Sequence, residues 1–533
     1  MFRLPALVLL LAVGAPLLDA CTNVLVSKGA TKHGATLLTY TDDSHSRYGE
    51  LAFRARMKHA PGTMRDVIDW GNGAFRGRIP EPSETYRRMG NMNEFQVAIG
   101  ETTFGGRKEV EGSGMLDYGS LIYIALERAK TAREAIQVIT GLVDQFGYGS
   151  SGESISICDP NEAWILEIVG KGKADKGAVW VALKLPDGTM SAHANQARIR
   201  QFPLKDPQNC TYSKDVISFA RENGWFKGED KDFSFCQSYA PWNFSSLRAC
   251  EARVWSVFRR AAPSLKLPID FVKGDPTATP LPIWIKPDQK LETRDLMELM
   301  RDHFEGTEFD MTQDVGAGPY QLPYRWRPMG FKVDGQDYIH ERAISTQQTA
   351  WSFVAELRSG LPNAIGGVLW FGMDDTYSTC YVPIYAGLLE PPPSWREGHG
   401  RWDTFSWDSA FWVFNFVSNY TYSRYSDMIQ DVQTVQRELE GRYFADQSEI
   451  ERQALELHRQ DPRSAQEFLT RYSTQTAENT VVRWRKLGES LIWKYLDGNV
   501  RDAQGRVTHP PYRPEWNRRI VQEHGEVIKV RKP

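Results

Sequence analysis

The residue whose position promises the most chemistry is Cys21. Arg3 gives a short positive start, residues 4–18 form an almost unbroken apolar run, and Leu17-Leu18-Asp19-Ala20 leads straight into the cysteine. The run is too short for a membrane span, which needs about 20 apolar residues, and it has the layout of a secretory signal. Ala20 suits the position before a cut, whereas Leu18 is larger than signal peptidase prefers. A cut there leaves a thiol and an α-amine on one residue. An α-amine with a pKa of about 7.7–8 accepts a proton at neutral pH far better than a lysine of about 10.4. Nucleophile and base then come from a single side chain and its own amine, the logic of an N-terminal nucleophile. A nearby carboxylate such as Asp43 could orient the amine, and two donors would have to hold the oxyanion of a tetrahedral intermediate. A cysteine after a signal is also what a bacterial lipoprotein shows, and residues 18–21 fit a lipobox loosely. Lipidation would acylate the very amine that catalysis needs, so the two readings exclude each other.

The elements that must position these groups follow from the pattern. Residues 22–27 alternate Val24 and Val26 against polar neighbours, and 35–41 return as a second strand after a turn at 28–34. A hairpin of this length brings Asp42-Asp43-Ser44-His45 back beside Cys21. Further strands are expected at 96–100, 154–158, 163–169, 178–183 and 190–195, with helices at 118–130, 133–145 and 293–303. Strand runs with paired helices beside them indicate a layered α+β or α/β architecture. From about Asp408 the character is helical. Apolar positions 429, 432, 435, 439 and 443 have helical spacing, and Asp461-Pro462 caps another helix that Gly498 can end. The proline-rich, basic tail from Asp502 reads as a surface wrap. The expected domains are a leader at 1–20, a catalytic domain at 21–425 and a helical extension with tail at 426–533.

The residues also resemble a known family. The opening from Cys21-Thr-Asn-Val-Leu-Val to Gly34-Ala-Thr-Leu-Leu and Asp42-Asp43-Ser44-His45 is similar to the start of the C69 dipeptidases. So are Gly90-Asn-Met-Asn93-Glu94, Val97-Ala-Ile-Gly-Glu101-Thr, His193-Ala-Asn195-Gln-Ala-Arg198, Met300-Arg-Asp-His303-Phe-Glu305, Gly366-Gly-Val-Leu-Trp370 and Ser409-Ala-Phe-Trp412. The resemblance spans about residues 21–420. It extends to the N-terminal nucleophile hydrolases, among them penicillin V acylases and bile-salt hydrolases. It implies a four-layer αββα fold, of α+β class, with a helical C-terminal extension. It makes Cys21 the nucleophile and sets Asp43 near its amine and thiol. Asn93 becomes an oxyanion donor, and Asn195 the second polar group at the attacking centre. One departure stands out: many relatives carry an arginine three residues before this aspartate, where this chain has Tyr40. A tyrosine can donate a hydrogen bond but cannot lower a thiol pKa by charge. Tyr40 thus becomes a substrate-binding candidate, and Arg198 or Arg253 the arginine that takes over.

The implied function is hydrolysis of a small amide, a dipeptide with a free N-terminus, through a thioester and with no cofactor. An acylase of N-acyl amides, or a secreted or lipid-anchored binding protein without turnover, are the rival readings. The 533 residues have a globular balance, 41% hydrophobic and 25% charged, and a net charge of −3 exerts no pull on nucleic acid or anionic membranes. No His-Glu-x-x-His or paired C-x-x-C motif suggests zinc. Gly149-Ser-Ser-Gly152 lacks the lysine of a phosphate-binding loop. His303 reads as a capping or packing residue. Six cysteines are few for this length, and one or two bridges are expected, chiefly among 210–250. The leader implies a secreted, periplasmic or luminal protein; the sequence is compatible with an oligomer.

Overall fold

The structure, a computed structural model, describes residues 21–44, 47–173 and 176–531. The expected leader at 1–20 and His45 lie outside the described residues. In chain order the elements that build the site are β1 (Asn23–Val26), β2 (Thr36–Asp43), β3 (Ala98–Gly105), α1 (Tyr118–Arg128), α2 (Ala132–Phe146), β4 (Gly152–Cys158), β5 (Ala163–Gly170), β6 (Ala178–Lys184) and β7 (Met190–His193). They continue with α3 (Ala252–Ala261), α4 (Thr293–Met300), β8 (Thr349–Leu357), β9 (Gly367–Met373), β10 (Val382–Tyr385), α5 (Ala410–Tyr422), α6 (Tyr425–Gln460) and α7 (Pro462–Lys494).

β1 and β2 form the expected hairpin, with Leu25 opposite Leu38, Val26 opposite Leu37 and a bridge from Thr22 to Thr41. Every residue of both strands is buried, because the hairpin is covered on both faces. It sits inside a seven-stranded sheet in the order Trp284–Ile285, β7, β1, β2, β8, β9, β10. An eight-stranded sheet runs Cys210–Tyr212, β6, β5, β4, β3, Met92–Asn93, Arg88–Met89, Phe53–Arg54. The pairings are antiparallel in both. β1 and β2 meet β3 and β4 face to face, so the hairpin that carries Cys21 lies where the sheets pack. Helices α1 and α2 cover strands of the second sheet, while α3, α4, α5 and α7 lie on strands of the first. The result is an α+β architecture with antiparallel sheets and a helical C-terminal region.

Close approach of the sheets depends on Gly100. A Cβ there would stand 3.1 Å from both the Asn23 amide nitrogen and the Tyr40 Cβ, tighter than a well-packed interior tolerates without a shift. Helix ends follow their capping residues. The Thr131 side chain accepts from the Glu134 N–H at the start of α2, and Glu134 in turn accepts from the Lys130 N–H at 2.7 Å, a reciprocal cap. Asp461 caps α7 through the Arg463 and Ser464 N–H groups, with Pro462 in the first turn. All five apolar positions expected to line α6 are buried. No described helix is long and apolar enough to cross a membrane.

Four expectations need correction. The strand expected at 96–100 starts at Ala98 and runs to Gly105, because its polar residues Glu101, Thr102 and Thr103 are buried against the hairpin and the neighbouring strand. The helix expected at 293–303 stops at Met300, where Arg301 leaves helical geometry. The tail forms a helix, Pro514–Ile528, with proline in its first turn and no buried residue. The six cysteines are free thiols, with Cys210 in a short strand and Cys236 in a short helix, so no bridge joins the 210–250 cluster.

Candidate active site

Cys21 stands immediately before β1, and its backbone is held from the far side of the sheet. The Arg253 side chain, on α3, donates through Nη1 to the Cys21 carbonyl at 2.7 Å and to the Thr22 hydroxyl at 2.9 Å. Through Nη2 it donates to the Ala194 carbonyl at 3.1 Å and the Asn195 Oδ1 at 2.8 Å. Asn195 closes the ring by donating from Nδ2 to the Thr103 carbonyl at 2.7 Å. It can do so because its backbone is left-handed, φ 64°, a conformation asparagine adopts more readily than most residues. One buried guanidinium thus joins the hairpin, the segment after β7 and Cys21. Burial, and then the nearby Arg342, pull the Arg253 pKa down to about 10, which still leaves it a cation at neutral pH.

Asp43 is fixed by three donors. Arg342 Nη2 reaches its Oδ2 at 2.6 Å, Thr41 Oγ1 reaches the same oxygen at 3.0 Å, and Thr349 Oγ1 reaches Oδ1 at 2.6 Å. Thr349 faces Asp43 across the sheet, where the register of β8 against β2 shifts before Trp351; such bulges re-aim side chains. The Asp43 N–H is directed at the Cys21 thiol. On its other side the thiol meets Glu101 Oε1 at 3.5 Å and the Tyr40 hydroxyl at 3.9 Å, and Tyr40 donates to the same Glu101 oxygen at 3.0 Å. The Asn23 amide, oriented to satisfy both its ends, accepts from the Glu101 N–H at 3.0 Å and donates to the Glu101 carbonyl at 3.2 Å. Above this group Trp70 packs edge-on against Tyr118 and Trp351, with the Arg47 guanidinium 3.6 Å from the Trp70 ring centre.

The electrostatics decide the state of the thiol. Burial raises its pKa most, and the charges of Glu101, Asp42 and Asp43 raise it further, against a small opposing effect of the Asp43 N–H. Tyr40 is likewise held as a neutral phenol, first by burial and then by Asp42. Cys21 is therefore a thiol at rest. Among the described residues no histidine contacts it; its side-chain contacts are Glu101 and Tyr40.

The structure brings Cys21, Tyr40, Asp43 and Asn195 together, and Arg253 rather than Arg198 is the arginine that reaches Cys21. Two assignments need correction. Asn93 spends its whole amide on the backbone of other segments: Nδ2 donates to the Leu126 and Ala129 carbonyls, and Oδ1 accepts from the Phe95 and Val97 N–H groups. Its own N–H donates to the Val97 carbonyl. No donor remains for an oxyanion, and the residue ties the end of α1 to the turn before β3. Arg198 is also committed, to Glu251 at 3.0 Å and to the Ala192, Ile283 and Pro282 carbonyls. It lines a cavity of about 700 Å³ with Leu183, Lys184, Pro186 and Trp284, a cavity that Cys21 does not line. His303 packs as expected, with its ring nitrogens on Glu305 and Tyr324. Sequence reasoning missed Arg342 and Thr349, which carry no local signature, and assigned no role to Glu101, although its Gly-Glu-Thr setting was visible.

Similarity to known proteins agrees with this arrangement. The model of peptidase family C69 matches residues 20–438. A protein named "Probable dipeptidase" from Latilactobacillus sakei is 24% identical over 410 residues, 71% of this chain and 77% of its own length. "Probable dipeptidase B" from Streptococcus pyogenes serotype M1 is 22% identical over 493 residues, covering 89% and 93%. "Probable dipeptidase" from Salmonella dublin is 24% identical over 404 residues, covering 71% and 84%. With the family match running from the residue before Cys21 through the sheets and into the helical region, the chain belongs to peptidase family C69.

Proposed function

We propose that this chain is a cysteine-type dipeptidase of the N-terminal nucleophile class, activated when a signal peptide is cut off before Cys21. The observation that carries the reading is the buried Cys21 thiol just before β1, its carbonyl pinned by Arg253 and its Sγ set against Glu101 and Tyr40. On this reading the thiol needs a base at the moment of attack, and the α-amine of a mature Cys21 serves as that base. The amine takes the Sγ proton as sulfur bonds the scissile carbonyl carbon. The C–N bond then breaks, the departing amine takes that proton, and an acyl thioester remains. Water attacks the thioester, again losing its proton to the amine, and the acyl product leaves with the thiol restored. Arg253 holds the Cys21 carbonyl and Asn195, so the attacking atom and its neighbours enter the reaction already positioned. On this reading Asp43, held by Arg342 and Thr349, orients the amine, and Asn195, held by Arg253, is the oxyanion donor. Tyr40 steadies Glu101 beside the thiol where relatives carry an arginine.

The layering of helices, two sheets and helices supports the four-layer αββα fold of that class. A leader of this layout supports a secreted, periplasmic or luminal location. The test is intact mass and N-terminal sequencing of protein recovered from its natural route, with hydrolysis of alanyl-alanine followed by amine release. The expected result is a chain that starts with unmodified Cys21 and is active, with activity lost in Cys21→Ala. An acylated Cys21, or residues left in front of it, overturns the mechanism.

A further inference from the structure

Resting on the dipeptidase reading above, we propose that Glu101 binds the α-ammonium of an unblocked dipeptide, and that Glu153 holds it in place by sharing a proton. Glu101 lies on β3 and Glu153 on the adjacent β4, and both are buried. Thr103 Oγ1 donates to Glu153 Oε1 at 2.7 Å, and Tyr40 donates to Glu101 Oε1. The second oxygens, Oε2 of each, have no hydrogen-bond partner among the described residues, and Thr103 stands directly opposite Glu153 across β3 and β4, so Glu101, two residues along, is its diagonal neighbour on the same face; each carboxyl group acts on the other. Two buried carboxylates so placed do not both ionise. One proton between them satisfies both orphan oxygens and leaves a single negative charge, presented through Glu101 Oε1 to the thiol.

That charge is where a dipeptide's cation must come. For attack, the carbonyl carbon approaches to about 3–3.5 Å from Sγ. In a substrate with a free N-terminus the α-nitrogen is two bonds further, about 2.5 Å from that carbon. A carboxylate oxygen 3.5 Å from Sγ is then one charge-assisted hydrogen bond from the α-nitrogen. Once the thiol proton has left, the position of Oε1 that faced S–H is open to the ammonium. Arg47, whose charge acts on Glu101, contacts the Trp70 ring, the Tyr118 hydroxyl at 3.1 Å and Asp42 at 3.6 Å. An N-acyl amide would set an uncharged carbon chain against the carboxylate, so the same pair that binds dipeptides rejects acylated amides.

The test uses the mature protein with alanyl-alanine and its des-amino analogue, propionyl-alanine, which share the scissile amide. Wild type is expected to favour alanyl-alanine by about 100-fold in kcat/KM, the effect of one charge-assisted bond. Glu101→Gln is expected to lower kcat/KM for alanyl-alanine by about 30-fold more than for propionyl-alanine, chiefly through KM, so the preference collapses, while the effect of the lost charge on the thiol is common to both substrates and cancels in the ratio. Iodoacetamide labelling of Cys21 in both proteins reports that the nucleophile is intact. A folded Glu101→Gln that keeps the wild-type preference overturns the assignment. If that variant does not fold, wild type alone decides, since equal kcat/KM for the two substrates overturns it equally. A wild type with unmodified Cys21 that cleaves neither substrate overturns the dipeptidase reading itself, a result distinct from either of these.

Discussion

Replacing Arg342 by methionine should destabilise the protein far more than its distance in sequence from Cys21 suggests. Asp43 is wholly buried, and Arg342 at 2.6 Å is the cation that contacts it. Removing one partner of a buried pair typically costs about 3–5 kcal/mol, because the other charge is left uncompensated. Two features reduce that figure here. Thr41 and Thr349 still donate to the carboxylate, and Arg342 is 7% exposed, so some water can reach the vacated space. A loss of about 2–4 kcal/mol is expected. Asp43→Asn alone removes the charge but keeps the shape, and leaves Arg342 to be partly solvated, so its loss should be nearer about 1–2 kcal/mol. The double variant should be less damaging than the sum by about 2 kcal/mol, since neither orphan charge remains. Urea unfolding followed by tryptophan fluorescence, with four proteins side by side, measures the coupling. Alanyl-alanine turnover read in parallel should fall in both single variants. A coupling below about 0.5 kcal/mol would refute the view that this pair is what holds Asp43 at the nucleophile.

Asn93→Ala should act on stability and not on chemistry: four buried hydrogen bonds are lost, which costs about 3 kcal/mol or more, while KM and kcat of the folded fraction stay near wild type. A large kcat loss at unchanged stability would restore the oxyanion role. Gly100→Ala should cost about 1–3 kcal/mol and lower kcat, because the new methyl presses on Asn23 and Tyr40 at the sheet contact; unchanged activity and melting temperature would show that the sheets can yield there. Asp374 is buried, and that burial lifts its pKa to about 7, against hydrogen bonds that lower it. Its folded-state pKa exceeds the unfolded value of about 3.9, so the folded state binds the extra proton and wild type loses stability as pH rises from about 4 to about 7. Asp374→Asn should therefore gain on wild type steadily across that window in thermal melts, and a pH-independent difference would contradict the assignment.

How much of this was legible in the sequence depended on how local the cause was. The β1–β2 hairpin, the caps at Thr131 and Asp461 and the buried stripe of α6 are set by residues within a few positions of one another, and pattern reasoning found the hairpin, the Asp461 cap and the stripe. Cys21 stood out as a candidate nucleophile because its meaning comes from one neighbour, the end of the apolar run at residues 4–18. The strands β8 and β9 were not legible, since they are buried on every residue and show no alternation to read. Arg342 and Thr349 approach Asp43 from roughly 300 residues away. Asn93 was misread for a related reason. An Asn-Glu pair after glycine fits a catalytic loop or a turn equally well, and only the positions of Leu126 and Ala129 decide between them.

The replacement of a relative's arginine by Tyr40 becomes intelligible once the charges around the thiol are placed. Three carboxylates, Glu101, Asp42 and Asp43, act on Cys21, and all raise its pKa. The arginines lie elsewhere: Arg253 on the Cys21 carbonyl, Arg342 on Asp43, and Arg47 against Trp70. A cation at position 40 would pair with Glu101 and remove the one negative charge that faces the thiol. A phenol held neutral leaves that charge in place and still supplies a hydrogen bond to orient it. The cost is a thiol that does not ionise by itself, and on the proposed mechanism the α-amine meets that cost by taking the proton only as the bond forms. It follows that Tyr40→Arg should lower the pH at which iodoacetamide labels Cys21, because the new cation favours the thiolate. The same change should weaken alanyl-alanine turnover through KM. A variant whose labelling shifts while KM holds would separate thiol activation from ammonium binding, and would mean that Glu101 serves the nucleophile alone.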